Sequence, residues 1–186
     1  METKTLGNVL LVTGHTYEQI SVANKMIVEN IKKNVPELKE TNLAQLYPNF
    51  AIDVKAEQEK LIWADTVIIQ VPIFWFSMPA IVMRWIEEVF QHGWAYGSEG
   101  KALKGKRIIV GATSGSPLEV YESGAAGLTV EDFNKRFCTI FSFCSMNYKG
   151  FVLCGGCLNM GDGKVDPAMA GKTEQHVEKL LAYLNG

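Results

Sequence analysis

Residues 66–79 read TVIIQVPIFWFSMP and join an apolar run to a cluster of aromatic side chains. The β-branched run 66–71 has no polar alternation, which predicts a strand buried on both faces, as in a parallel sheet. Pro72 ends this strand because it has no N–H to donate to the ladder. The aromatic residues 74–76 should therefore lie at the carboxyl end of a central strand, where open α/β sheets bind ligands. Such a cluster can hold a flat, π-rich ligand, or it can pack onto its own domain.

The composition of the chain excludes several classes of protein. The 186 residues are 47% hydrophobic and 20% charged, which is typical of one soluble globular domain over residues 1–186. A formal net charge of −2 provides no basic field for nucleic acid or for a membrane surface. No apolar stretch approaches the roughly 20 residues that span a bilayer, and residues 1–5 lack the apolar core of a signal peptide. We expect a cytoplasmic protein without direct membrane insertion.

Apolar runs alternate with helical patterns along the whole chain. The predicted strands are Val9–Thr13, Leu38–Leu43, Thr66–Val71, Arg107–Thr113 and Phe151–Leu153. The predicted helices are Ser21–Lys33, Lys55–Trp63, Met78–Phe90, Thr129–Cys144 and Pro167–Leu184, with Ser21 and Thr129 as N-caps and a long loop over 115–128. This alternation predicts a three-layer α/β sandwich with helices on both faces of a five-stranded parallel sheet, in the order 2-1-3-4-5.

Two loops should meet the aromatic cluster at the same edge of the sheet. The loop after the first strand carries His15 and then residues 21–24, whose helix N-terminus can hold a phosphate, although capping explains Ser21 equally well. The loop after the fourth strand, residues 113–116, has small side chains that let a planar ligand approach its backbone, or it is an ordinary turn. Neither a dinucleotide-binding glycine fingerprint nor a phosphate-binding P-loop sequence is present.

Taken together, these motifs resemble those of the flavodoxin-like NAD(P)H:quinone oxidoreductases. The similar segments include His15 with SVAN at 21–24, PIFWF at 72–76 and TSGS at 113–116. LYPNFAID at 46–53 and FQHGWAYG at 90–97 resemble the bacterial branch of general stress protein 14 and of the potassium-efflux ancillary quinone reductase. The resemblance covers nearly the whole chain, in order and with compatible spacing.

The resemblance implies FMN as the cofactor and NAD(P)H as the co-substrate. The implied FMN contacts are His15, Ser21, Val22, Ala23 and Asn24 around the phosphate, Pro72, Ile73, Phe74, Trp75 and Phe76 along the ring system, and Thr113, Ser114, Gly115 and Ser116 at its pyrimidine end. Tyr121 occupies the position of a catalytic tyrosine in the animal enzymes, which carry a histidine six residues later. Here that position is Gly127, so their Tyr–His proton relay is not carried over. No metal site is expected.

The leading hypothesis is an enzyme that takes two electrons from NAD(P)H and passes them to a quinone or a similar electrophile by a ping-pong mechanism. A second hypothesis is a regulatory subunit that docks on a potassium-efflux membrane protein, a role that occurs in the resembled branch. A one-electron carrier is disfavoured, because flavodoxins are usually strongly acidic. The resemblance also implies a two-fold homodimer. Trp94 and Tyr96, in a Gly-rich loop that cannot easily bury them, are the expected interface aromatics.

Several other polar residues are given structural roles. Cys138 and Cys144 lie on a helical pattern among aromatics and are expected in the core. Cys154 and Cys157 have the spacing of a redox pair, but they follow a strand and lack a helix N-terminus that would lower their pKa, so we expect reduced thiols without a catalytic role. The basic residues of 101–107 are expected near the mouth of the ligand crevice, as a solvated loop or as an attraction for the phosphates of NAD(P)H.

Overall fold

Five parallel strands form the central sheet of the computed structural model, which describes residues 6–158 and 166–186. The strand order β2-β1-β3-β4-β5 confirms the predicted topology. The strands are β1 Val9–Thr13, β2 Leu38–Asn42, β3 Thr66–Pro72, β4 Arg107–Thr113 and β5 Asn147–Cys154. Because all of them run in the same direction, Pro72, Thr113 and Cys154 lie side by side at the carboxyl edge of the sheet.

Helices cover both faces of the sheet. They are α1 Ala23–Asn34, α2 Leu43–Leu46, α3 Val54–Trp63, α4 Ala80–Val89, α5 Leu118–Glu122, α6 Val130–Phe143 and α7 Met169–Asn185. Helices α1 and α7 contribute to an apolar core on one face, and the other helices contribute to a core on the opposite face. The predicted three-layer sandwich is therefore confirmed.

The apolar run of β3 is explained by these two cores. Val67, Ile69 and Val71 join the core of α2 to α6, whereas Ile68 points into the core of α1 and α7. All four side chains are fully buried. Burial of such a side chain contributes roughly 1.5–3 kcal/mol relative to exposure. A polar residue at any of these positions would lose that contribution, which is why the run shows no alternation.

The structure differs from the sequence expectations mainly in short elements. Helix α2 begins where β2 was expected to continue, because the Asn42 side chain accepts a hydrogen bond from the N–H of Gln45 at 3.3 Å and caps the turn. Helix α5 begins after Pro117, inside the predicted long loop. A one-turn helix shows no hydrophobic period from which it could be predicted. Strand β5 starts at Asn147, four residues before its predicted start. The prediction missed the first half of the strand because these residues are exposed or only partly buried and lack an apolar pattern.

The two predicted N-caps have different outcomes. Thr129 caps α6 in a capping box, since its hydroxyl accepts from the N–H of Asp132 and the Asp132 carboxylate accepts from the N–H of Thr129. Ser21 was predicted as the cap of α1, and this is wrong, because Val22 occupies the N-cap position. On α6, Cys144 is buried as expected, but Cys138 is half-buried because it lies to the side of the core-facing phenylalanines.

The fully buried Glu57 connects three segments on one face of the sheet. Its carboxylate accepts hydrogen bonds from the hydroxyl of Tyr47 at 2.7 Å and from Nε1 of Trp85 at 3.0 Å. Thr41 donates to the same group, and Lys60 neutralises it as an ion pair. A buried carboxylate is tolerated only with such partners, because an unpaired charge there costs several kcal/mol. Glu57 therefore fixes the loop after α2 against α4.

A second polar chain crosses the core beneath the carboxyl edge of the sheet. Gln70 is fully buried in β3; its Oε1 lies 3.0 Å from Nε2 of His176, and its Nε2 donates to Oδ1 of Asn24 at 3.0 Å. Gly111 leaves space for this contact, since a Cβ there would lie 2.2 Å from Oε1 of Gln70. Burial, with a smaller contribution from Lys179, lowers the pKa of His176 to about 3. His176 is therefore neutral and donates through Nε2 to Gln70.

This neutral histidine predicts a specific pH dependence of stability. Below about pH 6.5 the unfolded chain protonates His176, whereas the folded chain does so only near pH 3, so acid favours unfolding throughout this window. We expect the free energy of unfolding of the wild type to fall more steeply than that of His176→Gln between about pH 6 and pH 4, by up to about 1.4 kcal/mol per pH unit. Urea unfolding at stepped pH measures both slopes. Parallel slopes would show that His176 is not held neutral.

Candidate active site

The carboxyl edge of the sheet carries a cleft of about 170 Å³ formed by the loops after β1, β3 and β4. The structure brings together His15, residues 21–24, residues 72–74 and residues 113–115 in its lining, as predicted. It does not place Trp75, Phe76 or Ser116 in that lining. Sequence reasoning missed Tyr17, Ile20, Cys157 and Leu158, which also line the cleft. Three of the predicted segments therefore converge on a single site.

The N-terminus of α1 presents unused donors to this cleft. The Ser21 hydroxyl is buried, and it finds no hydrogen-bond partner within the part of the chain that the structure describes. Asn24 is 5% exposed and commits its Oδ1 to Gln70, so its amide NH₂ remains as the donor group. The first backbone N–H groups of a helix also lack intrahelical partners and carry its positive dipole end. A phosphate would satisfy all of these donors.

His15 contributes a further neutral donor. Its Nδ1 accepts from the backbone N–H of Tyr17 at 3.0 Å, so the proton of the neutral ring lies on Nε2. Burial lowers the pKa of His15, Glu18 opposes this effect, and Lys25 adds to it. The ring packs edge-on against Phe74 with centroids 5.4 Å apart. His15 therefore joins the donor group of the α1 N-terminus to the aromatic wall of the cleft.

A second cavity of about 360 Å³ adjoins the cleft and shares His15, Ser21 and Asn24 with it. Lys25 lines this cavity and supplies a positive charge in the first turn of α1. Sequence reasoning assigned only His15 and residues 21–24 to the phosphate, and it therefore missed this cation. The signal that was available is the position of Lys25 directly after Asn24. A charge at this position adds electrostatic attraction for an anion bound at the helix N-terminus.

The aromatic segment after β3 folds into a tight turn. Phe74 and Ser77 exchange two backbone hydrogen bonds of 3.0 Å, so Trp75 and Phe76 are the two central residues. Their φ angles are 50° and 59°, as in a type I′ turn, which normally uses Asn and Gly. A bulky residue in this region costs roughly 1–2 kcal/mol. Strain of this kind is concentrated at ligand-binding sites.

The turn also settles how the aromatic cluster packs. Trp75 is 94% exposed and does not pack onto its own domain, whereas Phe76 is 42% exposed and therefore partly covered. Phe74 instead lines the cleft and contacts His15 and Tyr17. Among the described residues, no acceptor is found for the backbone N–H groups of Trp75 and Phe76. Donors and an apolar ring therefore lie next to one another at the cleft edge.

Two further groups lie away from the cleft. Tyr121 is 5% exposed and packs against Phe133 in the core, and its catalytic role stays a prediction. The basic residues of 101–107 were expected at the crevice mouth, which is wrong. Arg107 begins β4, so the group lies at the amino edge of the sheet, where Lys106 donates to the carbonyls of Ile62 and Ala64. Among residues 6–158 and 166–186, no cluster of three or more acidic, His or Cys side chains could bind a metal.

The strained turn predicts an inverted ranking of two substitutions. Trp75→Gly and Trp75→Ala both remove an exposed indole, but only glycine is relaxed at φ 50°. We expect the Gly variant to exceed the Ala variant by about 1 kcal/mol in free energy of unfolding, whereas glycine is normally the less stable choice. Urea unfolding of both variants without cofactor measures the difference. Equal stability, or a more stable Ala variant, would show that the turn is unstrained.

Comparison with known proteins agrees with this architecture. A 39% identical relative over 117 residues is the glutathione-regulated potassium-efflux system ancillary protein KefF of Enterobacter sp. (strain 638). The alignment covers 63% of this chain and 66% of that protein, just under two thirds of its length. General stress protein 14 of Treponema denticola, solved in complex with FMN, is 28% identical with a TM-score of 0.81, over 96% of this chain and 98% of that chain.

Other solved structures carry different names on the same fold. A structure described as a thermophilic tryptophan halogenase from Streptomycin violaceusniger is 26% identical, with a TM-score of 0.81 over 92% of this chain and 97% of that chain. An NADPH-quinone reductase from P.pentosaceus is 20% identical, with a TM-score of 0.75 over 95% of both chains, and shows the fold alone. The flavodoxin-like fold family model matches residues 7–180. The chain therefore belongs to the Flavodoxin_2 family of flavodoxin-like fold.

Proposed function

We propose that this protein is an FMN-dependent NAD(P)H oxidoreductase that reduces quinones or related electrophiles. The observation that carries the proposal is the buried Ser21 hydroxyl at the N-terminus of α1, which has no hydrogen-bond partner in the part of the chain that the structure describes. A buried hydroxyl without a hydrogen bond costs about 1–3 kcal/mol, and a bound phosphate would remove that cost. General stress protein 14, which has the same fold, was solved in complex with FMN. The two chains are 28% identical, and the FMN complex of that protein therefore supports FMN as the cofactor proposed here.

The residues of the cleft have separable tasks in this proposal. Bound FMN would accept two electrons with a proton from NAD(P)H and deliver them to the acceptor. Ser21, Asn24 and His15 would donate hydrogen bonds to its phosphate, and Lys25 would add positive charge. Phe74 would pack against the ring system, while the free N–H groups of Trp75 and Phe76 would act as fixed dipoles beside it. None of these side chains needs to form a covalent bond.

FMN fits the phosphate end better than FAD. The donors of the α1 N-terminus converge on one anion, and no second nucleotide-binding fingerprint is present in the sequence to hold an adenylate. The shared cavity next to Lys25 has space for solvent and counter-ions around a terminal phosphate. A cofactor that ends at this phosphate therefore uses every donor, whereas an adenosine extension has no matching site.

A homodimer and a membrane-bound partner belong to the same proposal. Trp94 and Tyr96 were expected to be exposed at the dimer interface. The structure shows instead that both are half-buried and pack against the core of their own domain. Phe143, 68% exposed and 5.1 Å from the Tyr96 ring, offers an aromatic surface instead. The name of the Enterobacter relative supports a second role as an ancillary protein of potassium efflux. In the described residues no helix has both the length and the apolar character to cross a bilayer.

Removal of the Ser21 hydroxyl should weaken FMN binding without destabilising the cofactor-free protein. Ser21→Ala should leave the cofactor-free protein equally stable or about 1 kcal/mol more stable, because it removes an unsatisfied group. Ser21→Ala with Asn24→Ala should weaken FMN binding by at least roughly 100-fold, since each hydrogen bond to a charged group contributes about 1.5–3 kcal/mol. Flavin fluorescence titration measures the affinity. Thr139→Ala, on the exposed side of α6, is the control and should bind FMN as the wild type does.

Two outcomes would count against this assignment. A double variant that binds FMN within a few-fold of the wild type would place the phosphate elsewhere. Cofactor released by heat that migrates as FAD on chromatography would contradict the choice of FMN. Both measurements use the purified full-length chain.

The cleft predicts the order of the reaction. Nicotinamide and quinone would have to use the same open side of the ring system in turn, because Phe74 and the loop 113–115 occupy the other parts of the lining. We therefore expect parallel lines in double-reciprocal plots when NADPH and a benzoquinone are varied together. Trp75→Ala should lower turnover more than it changes the preference between NADPH and NADH. Intersecting lines would demonstrate a ternary complex and reject the shared position.

A further inference from the structure

Cys154 and Cys157 form a thiol pair next to the cleft, and the proposed function does not use it. The two Sγ atoms lie 3.4 Å apart, and neither cysteine is in a disulfide. An S–S bond is about 2.05 Å long, so the two sulfur atoms need only a small movement to bond. Cys138 and Cys144, on α6, complete the four cysteines of the chain.

The turn that carries the pair is held in place by its backbone. Ser114 and Cys154 are joined by an N–H···O bond of 2.9 Å, and the N–H of Cys157 donates to the carbonyl of Ser114 at 2.8 Å. Gly156 adds a bond of 2.8 Å to Ser116. Gly155 is packed so closely that a Cβ there would lie 2.3 Å from the backbone nitrogen of Leu118. The short sulfur distance is therefore a consequence of the fold.

The two sulfur atoms lie between two different cavities. Cys157 lines the cleft described above. Cys154, the last residue of β5, lines a separate cavity of about 550 Å³ together with Lys172, Gln175 and Lys179. Each cysteine of the pair therefore borders a different cavity. This arrangement suits attack by one thiol and release by the other.

The electrostatics assign different roles to the two thiols. The pKa of Cys154 is lowered, first by the hydrogen bond from the Cys157 thiol and then by Lys172 and Lys179, against the effect of burial. The pKa of Cys157 is raised, because its proton is shared with Cys154 and because it is buried. Because Lys172 and Lys179 line the cavity beside Cys154, we assign the thiolate to this sulfur, although no helix N-terminus contributes. The expectation of no catalytic role considered a helix N-terminus as the source of thiolate stabilisation and did not include these two lysines.

We propose that Cys154 and Cys157 are a thiol–disulfide exchange site for small disulfides. The Cys154 thiolate attacks one sulfur of a disulfide RSSR, and the first RS⁻ leaves and takes up a proton. The Cys157 thiol then loses its proton, attacks the Cys154 sulfur and expels the second RS⁻. The two protein thiols are oxidised to one disulfide, and RSSR is reduced to two RSH. Because this chemistry requires no flavin, it goes beyond the proposed function.

The charge of the second cavity selects the class of disulfide. Lys172 and Lys179 line it, and among the described residues Glu119 is the one acidic side chain in its lining. Lys172 also pairs with Asp166, so Lys179 is the better probe of this selectivity. Positive charge around the entrance favours an anionic disulfide over a cationic one, and the preference decreases with salt.

The test uses the full chain without flavin, with oxidised glutathione as the anionic probe and cystamine as the cationic probe. The wild type should lose two of its four thiols and form an internal disulfide that dithiothreitol reverses. Cys157→Ser should retain half of the probe as a mixed disulfide on Cys154. Cys154→Ser should form no internal disulfide. Cys138→Ser, which changes the half-buried thiol of α6, is the matched control and should behave as the wild type does.

The reaction rates of the two probes test the selectivity for an anionic disulfide. At low salt, oxidised glutathione should react about tenfold faster than cystamine, and Lys179→Gln should reduce this ratio. Mass spectrometry and thiol counting measure both reactions. Retention of all four thiols, under conditions that oxidise dithiothreitol in a parallel tube, would overturn the proposal. Probe attached to Cys138 in place of an internal disulfide would also overturn it. Equal rates for the two probes would reject the assigned selectivity.

Discussion

The hydrogen-bonded chain from His176 through Gln70 to Asn24 is the constraint on which the candidate site depends. Gln70 lies in the middle strand of the sheet with no access to water, so both ends of its amide must be paired within the protein. His176 on α7 and Asn24 on α1 provide those partners. The same bonds fix the rotation of the Asn24 amide and place its NH₂ group as a donor at the N-terminus of α1. Core packing and site geometry are therefore set by one set of contacts.

Two features at the carboxyl edge of the sheet disfavour the chain without a ligand. Within the described residues the buried Ser21 hydroxyl has no partner, and Trp75 and Phe76 hold positive φ angles that their side chains disfavour. Nδ1 of His176 is likewise buried without a partner, and Phe50 and Ser145 also have positive φ angles, so such features are not confined to this edge. A protein can maintain unfavourable local features where a ligand compensates for them. The features at the carboxyl edge therefore support a bound anion and a flat ring independently of sequence similarity.

The sequence predicted the sheet and its order because burial on two faces leaves a clear apolar run, as in β3. It predicted the convergence of three loops because parallel strands share one carboxyl edge. It did not predict α2 or α5, since a single helical turn carries no period. It placed the basic residues at the wrong edge, although Arg107 at the start of its predicted strand already indicated the amino end.

Other parts of the site depend on contacts that no sequence pattern encodes. Ser21 at the start of a helical pattern predicted capping, and only the backbone geometry shows that Val22 takes that position. The exposure of Trp75 follows from the reversed turn, which a run of aromatic residues does not suggest. The lowered pKa of Cys154 comes first from the Cys157 thiol and then from Lys172 and Lys179, which come close only when α7 packs beside β5. Tertiary contacts therefore determine these roles.

The central claim is that the cleft at the carboxyl edge holds FMN as an electron-transfer cofactor. The most direct measurement is the absorption spectrum of the protein with stoichiometric FMN, recorded anaerobically before and after addition of NADPH. We expect a perturbed spectrum of bound flavin whose absorption is lost within seconds of NADPH addition and is restored by a benzoquinone. Flavin that remains free, or bound flavin that keeps its absorption with excess NADPH and NADH, would contradict the account.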